Sequence, residues 1–305
     1  MKNIININDI RSKLKVQGLN INDKKLFNEY LHEVNYNLLI GNFSRFFYNE
    51  QNNRKYDKDA TFSQIVALYN FDNEVAYKLL YYILKIERKL NTLVAYTIIN
   101  EYQITDRCLF KLNNSILKNV IFKNYVEAVP YCSYDSFIYL LTKYCGTNES
   151  TKIYHNKKAT SVEKMWRDLP LDIMCLSWSF STTLNVLLSL DDAIINKIIK
   201  NFDPIISTNS SFIDFIKNVI YLRNIISHNY VIFNAEIKHQ SNELNNLYEL
   251  IFKEKTNEID FLKLIKLIHY FTQDKDLFEW MKTKFNELKI NDKFKKRIVT
   301  KWMNK

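Results

Sequence analysis
Glycine and proline are scarce: the 305 residues hold three of each. Tight turns, bulges and left-handed backbone lean on these residues, so the scarcity favours helices over a turn-rich β fold. Gly18, Gly41 and Gly146 also stand far apart. Loops of the GxxxxGK or GxGxxG kind cradle phosphates with several glycines close together, so P-loop and dinucleotide-binding sites are excluded. The four cysteines, Cys108, Cys132, Cys145 and Cys175, form no CxxC pair, and the five scattered histidines offer no zinc spacing. The cysteines read as reduced thiols of a cytoplasmic protein, and neither a metal nor another cofactor is expected. The N-terminus MKNIININDIRSKLKV has no continuous apolar stretch, so no signal peptide is expected. The longest uncharged run, residues 173–190, is too rich in Ser, Thr and Asn for a membrane span and reads as a buried central helix.

What is present is apolar and basic. Hydrophobic residues make up 47% and aromatic residues 14% of the chain, a composition that builds a core. A net charge of +10 points to an anionic partner, nucleic acid before a membrane surface; a solvated lysine face is the plain alternative.

Helical periodicity dominates. Residues 23–35 predict a helix with Leu26, Tyr30, Leu31 and Val34 inward, and residues 49–60 read as a polar surface loop. A long helix is expected from about 73 to 102, capped by Asp72, with Ala76, Leu79, Leu80, Ile83, Ile86, Leu90, Val94 and Ile98 as its apolar stripe. Helices are expected over 107–126, 134–144, 171–189 and 191–201, and a second polar loop over 146–160. After the capping residues STNSS (207–211), a helix carries the stripe Phe212, Phe215, Ile216, Val219, Ile220, Leu222 and Ile226. Residues 1–240 are expected to form the main helical domain, and residues 241–305 an extension of two to four helices packed on it.

The end of that helix, YLRNIISHNY (221–230), concentrates chemistry. Arg223 lies on or beside the apolar stripe, and a half-buried arginine needs partners. Asn224 and His228 are four apart and share a helix edge. Imidazole titrates near neutrality, so His228 suits proton transfer, while the planar, permanently charged fork of Arg223 suits phosphate oxygens. The plain reading is a helix C-terminus where His228 meets the dipole and Arg223 binds carbonyls. An arginine, then asparagine, then a histidine five residues after the arginine resembles the signature of HEPN ribonucleases, which need no metal because RNA carries its own 2′-OH nucleophile. On one helix the Arg223 and His228 side chains point about 140° apart. Two copies facing each other make a better site than one, so a homodimer is expected.

Other segments extend the resemblance. Gly18-Leu19, Val34-Asn35-Tyr36 and Gly41, then Phe62 with Leu68-Tyr69-x-Phe71-Asp72, then Ile86-Glu87-x-x-Leu90, SWSFSTTL (177–184) and LRNIISHNYVIFN (222–234) follow one another at family-like separations. Together they resemble the Abi-like (AbiD/AbiF-type) abortive-infection family of the HEPN superfamily. The resemblance implies an all-α, HEPN-type helical bundle with additional N- and C-terminal helices. It also implies RNA cleavage, a role in phage defence or toxin–antitoxin pairs, and control by a small noncoding RNA. The pattern departs from the family at Asn229, where a second histidine is usual, and at Val231 and Asn91, where arginines are usual; Arg88 lies about 60° from Asn91 around its helix.

The expected site is therefore Arg223, His228 and Asn224, with Glu87 and Arg88 in support. Glu87 either holds Arg223 or Arg88 or forms a structural ion pair. The C-terminal stretch NDKFKKRIVTKWMNK (291–305) is a basic amphipathic helix. Its Lys293, Lys295, Lys296, Arg297 and Lys301 either contact an RNA backbone or line a solvated face of a packed terminal helix. The expected function is a metal-independent endoribonuclease leaving 2′,3′-cyclic phosphate and 5′-OH ends. The alternative is a non-catalytic module that grips a structured RNA. The expected partners are RNA and a second copy, with no membrane.

Overall fold
A computed structural model describes residues 6–104, 107, 169–273 and 277–303. The helices expected over 107–126 and 134–144, the loop over 146–160, and Cys108, Cys132 and Cys145 lie outside the described residues, save Arg107. The chain is all-α as expected. In order come α1 (Ile7–Val16), α2 (Lys24–Glu33), a π turn (Asn37–Gly41), a 3-10 turn (Ser44–Phe46), β1 (Tyr48–Asn49), β2 (Asn52–Tyr56) and α3 (Phe62–Glu101). Then follow α4 (Leu171–Met174), α5 (Phe180–Leu188), α6 (Asp192–Phe202), α7 (Asn209–Ser227), α8 (Asn242–Phe252), α9 (Phe261–Thr272), α10 (Leu277–Glu287) and α11 (Asp292–Met303). Among the described residues four helices follow residue 241, where two to four are expected. The described residues fall into two compact units: one within Met1–Tyr82, Tyr221–Lys238 and Ile259–Lys305, the other within Ile83–Ile220 and His239–Glu258.

In the first unit, α1 ends on Gly18, whose φ of 93° is a left-handed value that glycine adopts without strain. The N–H of Leu19 donates to Leu14 O and that of Gly18 to Lys15 O, a Schellman cap that folds the buried Leu19 back onto the buried Leu14. The face of α2 centres on Phe27, which is fully buried, rather than on Leu26, Tyr30, Leu31 and Val34, which are half-buried. Residues 48–56, expected as loop, form an antiparallel hairpin instead. Its strands are too polar to show apolar alternation, and Tyr56 is driven inward, where its hydroxyl lies 2.7 Å from that of Ser44.

The long helix starts eleven residues before its expected start. Thr61 and Gln64 form a capping box: Gln64 N–H donates to Thr61 Oγ1 at 3.3 Å, and Thr61 N–H to Gln64 Oε1 at 3.0 Å. Asp72 is thus inside α3, not its cap. The expected stripe is buried except Leu80, which is half-buried.

In the second unit, the uncharged run breaks where one helix was expected over 171–189. Trp178 is extended, and Ser179 starts α5 by accepting the N–H of Thr182 at 3.1 Å. This serine cap offers the backbone an alternative to continuing the helix. Asn91 stitches the break: its Nδ2 donates to Cys175 O at 3.1 Å, and its Oδ1 accepts from the Thr183 hydroxyl. Burial pushes the Cys175 thiol up to about 12, so it stays protonated at neutral pH. Among the described residues no helix is long and apolar enough to cross a membrane.

Candidate functional site
The apolar stripe of α7 is buried as expected from Phe212 to Ile226. The helix stops at Ser227, and the next four residues set the site. Asn229 has φ 54°, the left-handed region, where asparagine is tolerated better than most residues. The N–H of Tyr230 donates to Ile225 O at 2.9 Å and that of Asn229 to Ile226 O at 3.0 Å. This is a second Schellman cap, with His228 at the last helical corner and Asn229 at the left-handed position. It turns the chain sharply and sets Tyr230 beside His228, their ring centroids 6.2 Å apart. Asn229, one of the departures noted in the sequence, is therefore the turn residue itself.

The chain beyond the turn is pinned. Val231, Ile232 and Phe233 are buried, and Phe233 meets Phe43, Phe46 and Phe71 edge-on or tilted, with centroids 6.0–6.1 Å away. Asp72, 2% exposed, accepts the backbone N–H of Phe233 at 2.9 Å and that of Ile232 at 3.2 Å. Burial pushes its carboxyl up to about 7, against the two N–H donors that favour the charged form. Leu68-Tyr69-x-Phe71-Asp72 and the end of LRNIISHNYVIFN are thus one packed and hydrogen-bonded assembly.

Over the helix end lies a cavity of about 370 Å³. Tyr221, Asn224, Ile225 and His228, spaced at i, i+3, i+4 and i+7, give it one face of α7. Tyr230 and Val231 close it beyond the cap, and Leu38 and Asn42 line it from the π turn. Asn42 Nδ2 donates to the carbonyls of Asn37 at 3.2 Å and Leu38 at 3.1 Å, which satisfies backbone that the wide turn frees. Such π turns recur at functional sites. Among the described residues no carboxylate, lysine or arginine lines the cavity. Lys238 stands over the Tyr221 ring, its Nζ 4.8 Å from the centroid, and so brings a cation next to one wall.

Of the expected site residues, Asn224 and His228 come together in this cavity, both exposed. Arg223 is half-buried one position away and does not line it. Among the described residues, no carboxylate or carbonyl is bonded to the Arg223 guanidinium. Glu87 is buried and Arg88 exposed, both in the second compact unit. In α11, Phe294 and Ile298 are fully buried. Lys293 Nζ lies 2.6 Å from Asp57 Oδ2, and Arg297 bonds Glu50 Oε1 at 2.6 Å and Tyr48 O at 2.8 Å. Lys295 donates to Asn286 O at 2.7 Å, while Lys296 is exposed. Lys301 lies in α11, and its side chain lies outside the described residues. The sequence reasoning had not singled out Tyr221, Tyr230, Leu38 or Asn42; the helical spacing of Tyr221 with Asn224 and His228 was the signal that could have found the first.

A protein-family model described as Abi-like protein matches residues 29–234, about two thirds of the chain. The fold and the matched segment define the class: the chain belongs to the Abi-like family. No curated protein and no solved structure matches it.

Proposed function
We propose that this chain is a HEPN-type, metal-independent endoribonuclease acting in abortive infection, that is, phage defence. The observation that supports it best is the exposed His228 and Asn224 in an open cavity beside an arginine with no counter-ion among the described residues. In the proposed step the RNA 2′-oxygen attacks its neighbouring phosphorus and the bond to the 5′-oxygen breaks. One proton leaves the 2′-OH and one reaches the departing 5′-oxygen, so no net proton is consumed. His228 moves one of them, and His228 of a second copy moves the other. Arg223 offsets the added negative charge on the phosphorane, and Asn224 orients the phosphate. A small noncoding RNA held by the same surface would keep the enzyme in check.

The second reading is a non-catalytic RNA-binding module. It is favoured by Asn229, a turn residue where the family carries an imidazole. End analysis of RNA incubated with the protein in chelator separates the two. Cyclic-phosphate and 5′-OH ends support the nuclease, and intact RNA bound with a steep salt dependence supports the module.

A further inference from the structure
We propose that the cavity at the end of α7 holds one unpaired nucleobase, stacked on Tyr230, next to the phosphate that Arg223 and His228 address. The inference rests on the RNA reading above and adds a base subsite to it. Size is the first argument. At about 370 Å³ the cavity falls in the small-ligand range. The lining is the second. It is apolar and aromatic with amide and imidazole groups at its edge, and among the described residues it carries no carboxylate, lysine or arginine. That suits a flat neutral ring with polar edges and does not suit a phosphate, a carboxylate or a metal ion. Base recognition in RNA works this way, by stacking on aromatic rings and hydrogen bonds to the base edges, and it requires bases that are not paired.

Charge is the third argument. The cations stand outside the cavity, Lys238 over Tyr221 and Arg223 one position from Asn224, where the backbone of a strand whose base enters would run. Exposure is the fourth. Tyr230 keeps 65% of its surface in solvent although the Schellman cap fixes its backbone. A large aromatic side chain in water on a fixed backbone offers a stacking face, with the backbone part of its ordering already met by the fold. The Asn224 side chain has no hydrogen-bond partner among the described residues, so the end of its amide that does not meet the phosphate is available to a base edge.

The test uses the full chain stripped of nucleic acid at high salt, a labelled single-stranded RNA decamer, the same decamer in a duplex, and a decamer with a central run of abasic sites. Affinities are read by fluorescence anisotropy on strands carrying 2′-O-methyl groups, which remove the attacking 2′-OH so that cleavage cannot alter the signal. The account expects the single strand to bind about tenfold more tightly than either the duplex or the abasic strand, in line with the usual strength of base–aromatic stacking. Tyr230→Ala should remove that preference, and Tyr230→Phe and Tyr230→Trp should keep it. Equal affinity of Tyr230→Ala and the unaltered protein for the single strand overturns the base pocket, as does tighter binding of duplex or no RNA binding at all. Loss of self-association in Tyr230→Ala, with RNA affinity unchanged, also overturns it and makes the cavity a contact between copies. Base-dependent binding without cleavage supports the pocket and sinks the nuclease; cleavage indifferent to Tyr230 and to pairing does the reverse.

Discussion

Asp72 Oδ1 accepts the backbone N–H of Phe233 at 2.9 Å, from a side chain buried in the middle of α3. That bond joins residues 161 positions apart and fixes the strand of chain that leaves the Arg223–His228 helix. Asp72→Ala leaves two buried N–H groups unsatisfied, and a loss of about 2–3 kcal/mol is expected. Chemical denaturation of the variant measures it.

The same carboxyl gives a pH dependence with a defined sign. Its folded value of about 7 lies above the ordinary aspartate value, so between them the folded state holds a proton the unfolded state has lost. Its contribution to stability is therefore full at acid pH and falls as pH rises through that window to about 7. Asp72→Asn should flatten the slope between pH 5 and 7, read from denaturation midpoints at about half-unit intervals.

Asn229 gives the next prediction. Its left-handed φ disfavours β-branched side chains, so Asn229→Val should cost about 1–2 kcal/mol and weaken RNA binding by displacing Tyr230. Asn229→Gly should leave both almost unchanged, because glycine reaches that conformation freely. Thermal melts and anisotropy on the two variants check this.

The basic face of α11 divides into held and free cations. The Lys293 ammonium hydrogen-bonded to Asp57 holds that carboxyl below the usual carboxylate range. The pair's stabilisation is present above the ordinary aspartate value and is lost as pH falls through the lowered one. Lys293→Ala should therefore destabilise the fold at pH 7 much more than at pH 3. Lys296→Ala should leave stability unchanged, and any contact it makes with RNA appears as a shallower salt dependence of binding.

The stripes of α3 and α7 were legible because burial follows the 3.6-residue period over many turns. The start of α3 was not, because Thr61 and Gln64 sit in what reads as a polar loop, and Asp72 looks like a cap until its partners are seen 160 residues away. The break before α5 hides in an uncharged run because a single serine cap decides it. At the candidate site, the spacing of Arg223, Asn224 and His228 led to the helix end over which the cavity lies, with Arg223 outside its lining. Tyr230 does not stand out among 20 tyrosines in the sequence; its place beside His228 comes from the Schellman turn. The ion pairs of Lys293 and Arg297 reach across 236 and 247 positions, a range at which sequence pattern carries no signal.

The central claim is that Arg223 and His228 move charge and protons on RNA. Its most direct measurement is cleavage of single-stranded RNA in EDTA by the stripped protein, beside Arg223→Ala and His228→Ala. The account predicts that the unaltered protein cuts and leaves 2′,3′-cyclic phosphate ends. His228→Ala should lose about 10²–10⁴-fold in rate, the usual worth of a general acid or base, with RNA still bound. Equal cutting by the unaltered protein and His228→Ala, or RNA bound and left intact by all three, contradicts it.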